Sequence, residues 1–98
     1  MIPFSRRAER QLAALLAFYE DQDRPEAQSS LIAALNEASA RIEAKPGVGI
    51  AAPRPYPTLA QPGRAWIKTG RYWVLYGTEH PVTILAIFYD TANIPNRI

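Results

Sequence analysis

Between residues 64 and 73 the sequence reads RAWIKTGRYW, which sets three cations, Arg64, Lys68 and Arg71, among three aromatics, Trp66, Tyr72 and Trp73. Cations beside flat apolar rings suit recognition of an acidic partner, with the rings as anchors and the charges as a rim. The same aromatics equally suit the interior of a sheet, where large rings dominate packing. Groups for covalent chemistry are sparse elsewhere. The single histidine, His80, has only Glu79 beside it, and general acid–base work needs a second positioned group. Ser29 and Ser30 fall in a helical pattern with no base nearby, so nucleophilic catalysis has no support. With no cysteine and one histidine, neither a disulfide nor a thiolate or imidazole metal site is expected, and no cofactor is called for.

The charges are unevenly spread. Residues 1–43 hold five basic and seven acidic side chains, residues 44–78 hold five basic and none acidic, and residues 79–98 hold one basic and two acidic. The formal net charge of +2 is too small to imply nucleic-acid binding, but a one-signed segment points to an acidic partner, either nucleic acid or protein. A solvated basic loop is the plainer alternative.

These residues need elements to position them. Ninety-eight residues that are 48% hydrophobic suit one domain spanning residues 1–98. "IPFS" alternates Ile2 and Phe4 as a short edge strand, where Pro3 is tolerated. Ala8, Leu12, Leu15, Leu16 and Tyr19 then form one stripe of an amphipathic helix, with Ser5 as its N-cap. Asp23, Pro25 and Glu26 mark a second helix start, with Asp23 capping, and Ala27, Leu31, Leu35, Ala38 and Ile42 form its stripe. So short a link makes the two helices antiparallel. Residues 46–63 contain five of the nine prolines and three of the five glycines, a loop rather than a boundary. Three runs rich in β-branched and aromatic residues follow, turning at Thr69-Gly70 and at "TEHP", and read as an antiparallel meander. Tyr72, Val74 and Tyr76 share one face of the second strand and Trp73 and Leu75 the other. In the third strand, Val82, Ile84, Ala86 and Phe88 oppose Thr83, Leu85, Ile87 and Tyr89. Lys68, Arg71 and Trp73 should cluster at one end of the sheet. Ile94 and Ile98 should tuck against it, bringing Asn93, Asn96 and Arg97 beside the basic surface. No apolar run approaches the roughly 20 residues that span a bilayer, and the N-terminus lacks the apolar core of a signal peptide, so a soluble cytoplasmic protein is expected.

The order of these elements, with "GRYWVLYGTEHPVTILAIFYD" over residues 70–90, resembles the RelE/ParE superfamily of type II toxins. In that superfamily a helical hairpin packs on a small antiparallel sheet, and one strand carries a Gly-x-Tyr-Arg-hydrophobic-hydrophobic-Tyr pattern. Here it reads Gly70, Arg71, Tyr72, Trp73, Val74, Leu75, Tyr76. The resemblance implies an α+β fold and the toxin of a bacterial toxin–antitoxin pair, associated with growth inhibition and plasmid stabilisation. An acidic antitoxin that folds onto the hairpin and sheet would neutralise it, in a homodimer or a toxin–antitoxin hetero-oligomer. RelE-like members cleave messenger RNA on the ribosome with converging cations, whereas ParE-like members are associated with DNA gyrase. Trp73 stands where the strand arginine is usual, and Asp90 stands where a basic residue is common. Both departures favour the ParE-like reading, action by binding rather than catalysis, with Arg64, Trp66, Lys68, Arg71, Tyr72, Trp73, Asn93, Asn96 and Arg97 as the binding surface. A ribosome-dependent endonuclease and a non-toxic antitoxin-binding module remain the alternatives.

Overall fold

The computed structural model describes residues 2–97, the Arg97 side chain excepted. The expected position of Ile98 against the sheet therefore lies outside the described residues. The first helix starts where the sequence marks it: the Ser5 hydroxyl accepts from the Ala8 amide at 3.1 Å, and α1 runs Arg6–Asp21. Helix α2 spans Pro25–Ala44, with Pro25 and Glu26 in its first turn as expected. Asp23 is not its cap. Arg24 holds that position without a side-chain bond, because the chain reverses within residues 22–24 and Asp23 takes the left-handed conformation, φ 52°. Aspartate is one of the few residues that tolerates that conformation. Gln28 reaches back across the hairpin, donating to the Leu16 carbonyl at 3.0 Å.

Strands β1 (Arg64–Thr69), β2 (Tyr72–Gly77) and β3 (Thr83–Tyr89) pair antiparallel in the order β1-β2-β3. Thr69 lies opposite Tyr72, so the hairpin loop is Gly70-Arg71, one residue later than the sequence suggested. Gly70 has φ 55° and Arg71 is not in the positive region, the pattern of a type II′ turn that matches the twist of the strands. The N-terminal strand is reduced to a single parallel bridge, Phe4 to Ile84, held by Ile84 N–H to the Pro3 carbonyl at 2.9 Å and Ser5 N–H to the Ile84 carbonyl at 2.8 Å.

The sheet has a core on each face. On the helix side, Leu31, Leu35 and Ile42 of α2 pack with Ile67, Val74, Tyr76 and Ile87. On the other, Trp66, Trp73, Leu75, Ala86 and Phe88 pack with Ile94 from the short helix α3 (Ile94–Arg97) and with Tyr56 and Leu59 from the proline-rich loop. Strict alternation fails in β3. Leu75 pairs with Ala86 but Tyr76 with Ile84, so Leu85 is an inserted bulge residue. It turns Ile84 to the helix side while Ala86 and Phe88 stay on the other.

The loop is fastened to the sheet. Ile50 and Trp66 exchange two backbone bonds at 2.7 and 2.8 Å. The Tyr76 hydroxyl donates to the Pro46 carbonyl at 2.7 Å and accepts from the Gly49 amide at 2.9 Å. Among the described residues no helix is long and apolar enough to cross a membrane.

Candidate functional site

Lys68 and Trp73 face each other across β1 and β2, and the Lys68 ammonium lies 5.9 Å from the Trp73 ring centroid. Asp90, just past β3, brings a carboxylate oxygen within 3.7 Å of that ammonium, while its Oδ1 is buried without a hydrogen-bond partner among the described residues. Arg41 of α2 donates to the Lys68 carbonyl at 3.3 Å. With Arg54 from the loop, these residues line an open groove of about 580 Å³. Three cations and one carboxylate thus converge from four parts of the chain, an arrangement able to hold an anionic surface.

The sheet face that carries Trp66 and Trp73 is closed by the loop and Ile94. Trp66 is 1%, Tyr72 4% and Trp73 8% exposed, so the core reading holds for all three, although Trp66 and Trp73 reach the groove wall. Arg71 does not join Lys68. It projects from the turn on the helix side, where its Nη1 donates to the Tyr89 hydroxyl at 3.3 Å, and this bond, foremost, raises its pKa. Arg64 starts β1 opposite Gly77, exposed and four residues from Lys68. Asn93 and Asn96 are exposed and do not line this groove. Ile94 does tuck against the sheet and is fully buried.

A second, apolar groove of about 500 Å³ runs between α1 and β3, lined by Leu15, Phe18, Ile87, Phe88 and Tyr89 among others. Phe18 is 53% exposed there, and Gln11 closes part of the free β3 edge by accepting from the Ile87 amide at 2.8 Å. Arg41, Arg54 and Phe18 were not among the residues singled out from sequence. Phe18 does carry a signal: a large aromatic beside the buried stripe of an amphipathic helix.

An α+β chain with a helical hairpin on a three-stranded meander agrees with the family comparison: residues 2–92 match the ParE toxin of type II toxin-antitoxin systems, parDE. The chain belongs to the ParE toxin family. No curated protein matches it. As a type II toxin, the ParE-family chain has a cognate antitoxin as its implied partner. Trp73 and Asp90, the residues that depart from the RelE-like pattern, both lie at this toxin's basic groove.

Proposed function

We propose that this ParE-family toxin acts by binding its cellular target through the basic groove, and that its antitoxin neutralises it by covering the apolar one. The carrying observation is the Asp90 carboxylate beside Lys68, within a groove lined by Arg41 and Arg54. Cleavage of a phosphodiester builds negative charge on the phosphoryl oxygens, and a neighbouring carboxylate opposes it. A docking surface tolerates that carboxylate and gains selectivity from it. Family membership makes DNA gyrase the proposed target and the bacterial cytoplasm the place of action, with the whole chain working as one toxin domain. The half-exposed Phe18 and its apolar neighbours supply the kind of surface that an amphipathic partner segment covers.

Inducing the chain alone in a bacterial host and scoring growth, chromosome breaks and transcript ends tests the reading. Growth arrest with gyrase-dependent breaks is expected. Codon-phased transcript cleavage that disappears in Lys68→Ala would instead establish the ribosome-dependent endonuclease, and absence of any arrest would leave the non-toxic antitoxin-binding module.

A further inference from the structure

Arg24, from the link between the helices, and Arg71, from the β1–β2 turn, line one cleft of about 560 Å³ with Tyr19, Tyr72 and Tyr89. The bond to Tyr89 occupies one donor of Arg71 and leaves the rest of its planar fork open. The Arg24 guanidinium lies 5.5 Å from the Tyr19 ring centroid, a contact that holds the head group at the cleft without using its N–H donors. Among the described residues neither arginine forms an ion pair. Glu26 lines the same cleft, and Asp90 acts on Arg71 only through space, so the cleft keeps a positive balance. The Tyr72 hydroxyl, 2.5 Å from that of Tyr19, is held neutral by burial and by that bond, its pKa raised above the usual tyrosine value.

We propose that this cleft is a carboxylate site, which receives an aspartate or glutamate of an acidic peptide seated in the adjoining apolar groove. Tyr19, Arg24 and Tyr89 line both the cleft and the groove, so the two surfaces are continuous. A segment resting its apolar side chains on Leu15, Phe18 and Phe88 brings its neighbouring acid to the two guanidinium groups. Planar guanidinium groups fit carboxylate and phosphate oxygens alike. The apolar floor next to them favours the peptide, since it gives leucine-like side chains a seat and a phosphodiester chain none. That the peptide belongs to the antitoxin rests on the functional reading above; the cleft's preference for a carboxylate does not.

The full chain is titrated with a short amphipathic peptide, LEELLEEL, with its glutamine counterpart LQQLLQQL, and with inorganic phosphate, following the arginine side-chain N–H signals by NMR. The glutamate peptide should bind about tenfold more tightly than the glutamine one, the loss expected when a charge-assisted hydrogen bond is removed, and should shift the Arg24 and Arg71 signals. The variant Arg71→Gln, at a residue that lines the cleft but not the groove, should lose most of that tenfold advantage while keeping its affinity for the glutamine peptide, which shows that the groove is intact. Equal affinity for the two peptides, binding of neither, or an undiminished glutamate preference in the variant refutes the site. Phosphate moving the two signals at concentrations where the glutamate peptide does not would make it a phosphate site instead. Growth arrest is scored separately: arrest without peptide discrimination removes only the cleft, and discrimination without arrest removes only the toxin reading.

Discussion

Replacing Gly49 with alanine tests whether the proline-rich loop is a fixed wall of the basic groove. An added Cβ would stand 2.6 Å from the Tyr76 hydroxyl oxygen, 2.8 Å from the Trp66 carbonyl oxygen and 2.9 Å from Tyr76 Cε1. None of these atoms can move freely. The Trp66 carbonyl accepts from the Ile50 amide at 2.8 Å, and the Tyr76 hydroxyl is fixed between the Gly49 amide and the Pro46 carbonyl. Relief requires the loop to lift from β1. Overpacking of this kind costs about 1 to 3 kcal/mol, and each hydrogen bond lost adds about 1 kcal/mol, so we expect a destabilisation of roughly 2 to 4 kcal/mol. For a domain of this size that is roughly 10 to 25 °C in Tm.

The same loop supplies the control. Gly47 has nothing within 4 Å of an added Cβ, and Gly47→Ala should be neutral or stabilising by up to about 1 kcal/mol, because alanine restricts the unfolded chain. Urea unfolding of both variants decides. Adding Tyr76→Phe to Gly49→Ala removes the closest contact and should return about 1 kcal/mol, a coupling between neighbouring residues that independent sites would not show. Should Gly49→Ala unfold within about 0.5 kcal/mol of Gly47→Ala, the loop is not pinned, and the Arg54 side of the groove has no fixed position.

Trp73→Ala should cost about 3 to 5 kcal/mol in urea unfolding, as a core tryptophan does, whereas Lys68→Ala should cost no more than about 1 kcal/mol, since its pair with Asp90 is 42% and 26% exposed, and should instead weaken growth arrest. Phe18→Ser should leave Tm within a few degrees and weaken antitoxin binding, read as a smaller rise in Tm when the antitoxin is added; an unchanged rise would place the antitoxin elsewhere. Burial, then the bond to Tyr19, raises the Tyr72 pKa above its ordinary 10.0. The folded chain therefore keeps a proton that the unfolded chain releases, and the stability this gives is full below pH 10.0 and is lost as pH rises above it. Tyr72→Phe should make that alkaline decline in the urea midpoint shallower, and an equally steep decline would assign it to other groups.

What the sequence disclosed follows the range of the interactions involved. The α1 stripe, the Ser5 cap and the three strands rest on local periodicity and capping, and all appear in the fold. Asp23 misleads because its type suits a cap and a left-handed turn equally, and the length of the link decides between them. The bulge at Leu85 is invisible to a period of two, since the residues on either side are apolar whichever way they face. The cover over Trp66 and Trp73 depends on Ile50 pairing with Trp66, a contact across the loop that no local pattern encodes. Arg41 and Arg54 reach the basic groove by the same long-range closure. Their presence there follows from where the loop lands, not from their spacing.

The counted charge excess over residues 44–78 suggested one basic surface, and the end of β3 shows why the fold makes two. Successive side chains on a strand point to opposite faces. Tyr89 faces the helices and accepts from Arg71, and the next residue, Asp90, meets Lys68 at the loop-side groove. The Asp90 amide ties this point to the turn by donating to the Arg71 carbonyl at 2.8 Å. Arg71 and Lys68, three residues apart in sequence, are thereby held by adjacent residues of one strand end on opposite sides of the sheet. The type II′ turn makes this separation possible: with Gly70 absorbing the positive φ, Arg71 occupies the loop itself, outside the alternation of β1 and β2. A turn centred one residue earlier would have put Arg71 in register on β2, on the same face as Trp73 and beside Lys68.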